Sequence, residues 1–153
     1  MSSVYGPASA LSDFYNLRQR LSRYTRVMKV TAVLMMERIE ESVQFWTGKA
    51  GFDLTVSVPH GNAMGFAILQ NGAAEVMLQS YASAAEDVPS LVEYSRASKC
   101  SLFVEVEDFD DMVRRIEGSP VAFPVRKTPY GMTEIAVFEP GGHLVVFGCL
   151  TKE

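Results

Sequence analysis

Hydrophobic and polar positions divide the first half of the chain into strand and helix patterns. The predicted elements are, in order, a strand over 29–36, a helix over 38–50, a strand over 52–58 and strands over 64–70 and 74–80. Strict alternation in "FDLTVSV" indicates a half-buried strand, and Gly51 ends the helix before it. Asn71-Gly72 is a typical hairpin turn, so the last two strands pair. The predicted order is βαβββ.

The same order returns in the second half of the chain. The predicted elements are a strand over 101–107, a helix over 108–117, a strand over 121–126 and hairpin strands over 132–138 and 143–149. At an offset of 70 residues, "ERIEESV" aligns with "EDFDDMV", and Asn71-Gly72 aligns with Gly141-Gly142. Matching periodicity and turn chemistry indicate a duplicated unit. We therefore predict an α+β domain over 29–150, with two βαβββ units at about 29–80 and 100–150 and a polar, partly helical linker over 81–99.

Residues 1–28 precede this domain and differ from it in charge. Residues 1–29 contain five basic residues and one acidic residue, Asp13, a net charge of +4 that leaves −8 for the remainder. Apolar side chains recur there at three- and four-residue steps: Leu11, Phe14, Leu17, Leu21 and Tyr24. This spacing predicts an amphipathic helix over 10–26. A helix docked on the domain is favoured over a mitochondrial transit peptide or a start site placed too far upstream of Met28.

Composition is that of an ordinary globular protein and narrows the range of functions. Of 153 residues, 48% are apolar and 21% are charged, and the net charge is −4. An acidic chain disfavours a general nucleic-acid surface, and no apolar run approaches the ~20 residues of a membrane span. Cys100 and Cys149 are interpreted as reduced, buried thiols rather than a disulfide or a metal pair. These features favour a cytoplasmic protein.

Two segments carry a resemblance to a known superfamily. "IEESVQFWTGKAGFDL" at 39–54 and "TPYGMTEIAVFEPGGHLVVFG" at 128–148 resemble the strand–helix opening and the closing hairpin of the glyoxalase, bleomycin-resistance and extradiol-dioxygenase superfamily, the vicinal oxygen chelate fold. The resemblance covers about residues 29–149. The Pro-Tyr-Gly, the glutamate that follows and the Glu-Pro-Gly-Gly turn most resemble the bleomycin-resistance branch. Because this fold hosts many unrelated functions, the resemblance implies the fold more strongly than a reaction.

The resemblance also implies where a metal would bind. Metal-dependent members have a histidine early in the first strand of a unit and a glutamate in its last strand. The corresponding positions are Thr31 and Ser101, and Val76 or Met77 and Val146. Because none is a histidine or a carboxylate, and a catalytic metal needs about three protein donors, we expect no metal and no cofactor.

Other residues offer little to rebuild a metal site. His143 is interpreted as an exposed turn residue, His60 lies in a loop, and Glu75 adjoins the late-strand position in the first unit. A metal-dependent glyoxalase or dioxygenase therefore requires a different alignment of these strands from the one adopted above.

Strand alternation predicts the lining of a binding pocket. The expected ligand-binding residues are Thr31, Met35, Met77, Ser101, Phe103, Glu105 and Val146. Aromatic faces and a carboxylate suit a flat, partly cationic organic ligand. The resemblance implies a metal-free homodimer that sequesters such a ligand in crevices at the subunit interface. For single residues such as Phe103 and Met77, a place in the core is the competing interpretation.

An enzyme without a metal is the alternative. A lyase or isomerase would use a pocket glutamate as its general base. The weak candidates are Glu75, Glu105 and Glu134. For Glu134, a structural hydrogen bond to a neighbouring loop is the favoured interpretation.

Overall fold

A computed structural model describes residues 27–152, which form eight strands and four helices. The first unit comprises β1 (Ala32–Met36), α1 (Glu40–Gly48), β2 (Asp53–His60), β3 (Ala63–Asn71) and β4 (Ala74–Ser80). The linker contains α2 (Tyr81–Asp87) and α3 (Pro89–Arg96). The second unit comprises β5 (Ser101–Glu105), α4 (Phe109–Arg115), β6 (Val121–Lys127), β7 (Met132–Phe138) and β8 (Leu144–Leu150). The helix predicted over 10–26 lies outside the described residues.

Each unit folds into its own four-stranded sheet, with strand orders β1-β4-β3-β2 and β5-β8-β7-β6. The first and last strands of a unit pair in parallel, and the remaining neighbours are antiparallel. A parallel pair cannot be joined by a tight turn, so the helix and the two inner strands form the connection. The two predicted βαβββ units of an α+β fold are confirmed.

The turn residues and prolines fit this topology. Gly72 and Gly142 have φ angles of 56° and 85°, in the left-handed region that glycine adopts without steric cost. Pro59 and Pro124 lie in β2 and β6, the strands at the sheet edges, next to irregularities in strand pairing. Proline lacks the amide hydrogen of an inner strand, which confines it to such edges and bulges.

One face of each sheet packs into a single hydrophobic core shared by both units. Leu34 and Leu78 from the first sheet and Val145 and Phe147 from the second are fully buried there. Trp46 of α1 packs edge-on against the neighbouring rings of Phe45 and Phe52. Since side chains alternate along a strand, the opposite faces of both sheets point away from this core.

Candidate functional site

The face of the first sheet that points away from the core is called the first open face. Strand register places Val33 beside Met77, Met77 beside Ile68, and Ile68 beside Val56, in one row across four strands. Val33 and Val56 are exposed, and Met77 and Ile68 are partly exposed. This row is an apolar surface with no cover among the described residues.

A polar group of three residues lies at one end of the first open face. The hydroxyl of Thr31 donates to Oε1 of Glu75, at 3.1 Å, and Nε2 of Gln70 donates to Oε2, at 2.6 Å. All three groups are partly buried. The two donors fix the orientation of the carboxylate, so this end of the face can present a defined polar contact to a ligand.

The corresponding face of the second sheet is called the second open face. Register places Phe103 beside Val146, Val146 beside Ala136, and Ala136 beside Phe123. Phe103 is 53% exposed. Its ring lies over Gly148, because a Cβ on that glycine would stand only 2.8 Å from Cζ of Phe103. Gly148 therefore provides the space that the edge of the Phe103 ring occupies.

A second group of side chains lies beside Gly148, which pairs with Glu134. We call it the Arg126 platform: Phe123, Arg126, Tyr130 and Glu134. The guanidinium carbon of Arg126 lies 4.4 Å from the centroid of the Phe123 ring. Nε and Nη2 of Arg126 donate to Oε2 of Glu134, at 3.2 and 3.0 Å. The hydroxyl of Tyr130 lies 3.5 Å from Oε1. Glu134 is only 4% exposed, so its charge is compensated within the platform.

The structure distributes the expected binding residues over both open faces. Met77 lies on the first face, where Thr31 bonds to Glu75, and Ser101, Phe103 and Val146 lie on the second. Met35 is different, because Tyr81, Ala84 and Val92 of α2 and α3 cover it and leave it 5% exposed. The expectation that Met35 lines an accessible pocket was therefore wrong.

Glu105 lies at the border between the second open face and a cleft of about 470 Å³. The same cleft contains Asp111 and Arg115 of α4. The short ion pair between these two residues lowers the pKa of Asp111 below its ordinary value. Glu105 is exposed to solvent, which spares its charge the cost of burial.

The positions that the resemblance assigns to a metal do not fit one. Val33 pairs with Met77 and Phe103 pairs with Val146, so Met77, and not the buried Val76, corresponds to Val146. These positions offer a thioether, an alkyl group and, with Thr31 and Ser101, two hydroxyls. Within residues 27–152, no three His, Cys, Asp or Glu side chains converge as metal ligands do.

The two histidines occupy separate environments. His143 was expected to be an exposed turn residue, which was wrong: it is 2% exposed because its turn packs against the first unit. Its Nδ1 accepts from the amide of Cys100, and its Nε2 bonds to the carbonyl oxygen of Met35. His60 lies at the end of β2, 3.7 Å from Glu86. Cys100, expected to be buried, is exposed, and both cysteines are free.

Sequence reasoning did not find Gln70 or three members of the Arg126 platform: Phe123, Arg126 and Tyr130. Arg126 and Glu134 are opposite each other in the β6–β7 pair, eight residues apart in sequence. The sequence did contain a signal for this pair, because an arginine and a glutamate that face each other on paired strands attract. The irregular pairing around Pro124 hides that register from a count along the sequence.

Residues 28–147 match the model of the Glyoxalase/Bleomycin resistance protein/Dioxygenase superfamily. The chain belongs to this superfamily, as the sequence resemblance indicated. No curated protein matches the chain significantly. Within residues 27–152, no helix is long and apolar enough to cross a membrane.

Solved structures with the same fold include proteins that bind antibiotics. A glyoxalase/bleomycin resistance protein/dioxygenase from Nocardioides is 20% identical, with a TM-score of 0.64 over 93% of this chain and 94% of that one. The bleomycin-binding protein of Streptomyces verticillus, solved with copper(II)-bleomycin, is 19% identical, with a TM-score of 0.56 over 85% and 100%. TnmS3, an antibiotic binding protein from Streptomyces sp. CB03234, is 17% identical, with a TM-score of 0.57 over 83% and 100%.

Proposed function

We propose that the protein binds a small, partly aromatic organic ligand without a metal, as a drug- or metabolite-sequestering member of its superfamily. The observation that carries this proposal is the exposed ring of Phe103, which lies over Gly148 beside the Arg126 platform. Ligand sites typically combine apolar and aromatic surface with a few fixed polar groups. The second open face has this composition, and the first combines apolar side chains with the hydrogen-bonded group of Thr31, Gln70 and Glu75.

The solved structures support a binding role by their own ligands. The Streptomyces verticillus protein was solved with copper(II)-bleomycin, and TnmS3 is described as an antibiotic binding protein. Their similarity to this chain is a similarity of fold. The choice of a binding function for this chain rests on its own Phe103 and on the fixed polar groups beside it.

We further propose that a second copy of the chain covers the open faces and forms a homodimer. Both sheets leave an apolar face uncovered among the described residues, with Val33 and Val56 on one and Phe103 on the other. Two-fold pairing of identical chains would cover both faces at once. A ligand would then bind in crevices between the copies. The free, exposed thiol of Cys100 is consistent with a reducing compartment, and we propose the cytoplasm.

The geometry favours binding over a reaction that uses a glutamate as general base. Both oxygens of Glu75 and of Glu134 are engaged by donors in the same molecule. Glu105 is exposed at a cleft border. None of the three combines an apolar enclosure with an oxygen directed at a substrate, as proton abstraction requires.

The test is a panel of fused aromatic compounds, examined by thermal shift and then by mass spectrometry of the incubated compound. We expect stabilisation that saturates with compound concentration, as ligand linkage requires, and recovery of unchanged compound. Phe103→Ala should remove the stabilisation. Turnover that a single Glu75→Gln, Glu105→Gln or Glu134→Gln change abolishes, while binding persists, would show an enzyme instead.

A further inference from the structure

Arg126 is held on the second open face from two sides. Its guanidinium stacks over Phe123 at 4.4 Å, and its Nε and Nη2 donate to the same oxygen of Glu134. The side chain nevertheless remains 55% exposed. A planar group that is fixed before binding loses less conformational entropy when a ligand arrives.

The hydrogen-bond inventory of Arg126 leaves donors for a ligand. A guanidinium has five N–H groups, and two of them are used by Glu134. The other three have no partner among residues 27–152. These three N–H groups lie on an exposed planar group beside Tyr130 of the platform. Tyr130 is itself 70% exposed.

The carboxylate of the platform is not available as a charge partner for a cation. Glu134 is almost fully buried and is neutralised by Arg126. The charged group that a ligand meets on this part of the face is therefore the guanidinium. The carboxylate that the sequence placed in the pocket, Glu105, lies exposed at the other edge of this face. The guanidinium adds a positive group that the sequence did not predict.

We propose that Arg126 is the specificity-determining residue of the site and selects flat aromatic ligands that carry acceptor oxygens at their edge, such as a carboxylate or phenolate. The ring of the ligand lies against Phe103, and its oxygens accept from the remaining N–H groups of Arg126. This inference rests on the proposed binding function, which it extends to a ligand class. The planar, forked geometry matters as much as the charge, since arginine binds a carboxylate through two parallel N–H groups and lysine binds it through one ammonium.

The test compares three fluorescent probes of the same shape: anthracene-2-carboxylate, 2-(hydroxymethyl)anthracene and 2-(aminomethyl)anthracene. Their dissociation constants are measured on the full chain and on three variants. Arg126→Gln with Glu134→Gln removes both charges together, so no buried charge is left without a partner. Arg126→Lys keeps the charge and removes the planar fork. Lys127→Gln is the control, because Lys127 pairs with Thr133 and lies on the opposite side of the sheet.

We expect the carboxylate probe to bind the unchanged protein about tenfold or more tightly than the ammonium probe, the worth of one charge-assisted hydrogen bond. The double variant should bind both with similar affinity, and Lys127→Gln should retain the preference. Arg126→Lys should keep the part of the preference that comes from charge and lose the part that comes from the planar fork, so an undiminished preference in this variant contradicts the inference. If the double variant does not fold, Arg126→Lys decides the outcome.

Two results would overturn the inference, and they differ in what else they remove. Equal binding of the probes, or a preference that survives in the double variant or is undiminished in Arg126→Lys, would remove the role of Arg126 and leave the binding function intact. Failure of all three probes to bind the unchanged protein would remove the inference together with the proposed function.

Discussion

His143 donates a hydrogen bond from Nε2 to the carbonyl oxygen of Met35, which lies 108 residues earlier in the chain, at 3.0 Å. The direction follows from the other ring nitrogen, since Nδ1 accepts from the amide of Cys100 at 2.9 Å and so carries no proton. The same turn holds the carboxylate of Glu139, which accepts from the amide of His143 and from the hydroxyl of Ser42 in α1. The closing turn of the second unit thus joins the opening strand and helix of the first.

Replacing His143 should therefore destabilise the fold. His143→Ala leaves the amide of Cys100 and the carbonyl of Met35 without their partner, and the free energy of unfolding should fall by about 2–4 kcal/mol. Urea titration measures the change. His60→Ala is the control, because among residues 27–152 the imidazole of His60 makes no hydrogen bond and lies 3.7 Å from the exposed Glu86. Its replacement should change the free energy by less than about 0.5 kcal/mol. Equal effects of the two changes would contradict the structural role of His143.

Acid stability should depend on Glu40. The amide of Met64 donates to Oε1 of Glu40 at 3.0 Å, and this bond is the main reason that the pKa of Glu40 lies below its ordinary value of 4.5. A carboxylate with a lowered folded-state pKa contributes stability above the unfolded-state pKa and loses it as pH falls through the folded-state value. Glu40→Gln should therefore flatten the decline of stability on the acid side. The neighbouring Glu41→Gln is the comparison, and identical acid profiles for both variants would refute the prediction.

Gly148→Ala should weaken ligand binding more than it weakens the fold. The added methyl would stand 2.8 Å from Cζ of Phe103, and this exposed ring can swing outward to relieve the contact. The probe affinity should fall severalfold, while the midpoint of urea unfolding changes little. Gly48→Ala is the matched control, because a Cβ there meets no atom within 4 Å. Unchanged affinity in Gly148→Ala would show that the position of Phe103 over Gly148 is not used.

Much of the fold could be predicted because it follows from local periodicity. β7 was predicted at 132–138 and is observed at Met132–Phe138, and the repeated order of elements identified both units. The residues of the second open face followed from the alternation of side chains along β5 and β8. Each of these features depends on residues that are near one another in sequence.

The errors concern contacts between segments that are distant in sequence. Met35 and Val33 lie on the same strand. The linker helices cover Met35 and leave Val33 exposed. His143 resembles an exposed turn residue until its turn meets β1. Arg126 gains its role from Glu134 and Phe123 across an irregular strand pair. Strand alternation does not predict which helix covers a face.

Oligomeric state tests whether a second copy covers the open faces. Light scattering after size-exclusion chromatography should give twice the chain mass of 16.9 kDa. Val56→Glu places a charge in the apolar row of the first open face and should shift the protein toward the monomer, while Lys127→Gln should not. A monomer at every concentration of the unchanged protein would remove the interface crevices, and the fold would stand.

Metal-independent binding is tested most directly by the affinity of anthracene-2-carboxylate for protein dialysed against EDTA, compared with the same protein after addition of Zn²⁺, Ni²⁺, Mn²⁺ or Fe²⁺. Since Thr31, Met77, Ser101 and Val146 provide no carboxylate or imidazole, we predict saturable binding with the same affinity in every sample. Binding that appears only after a metal is added, at about one metal per chain, would contradict the proposed function.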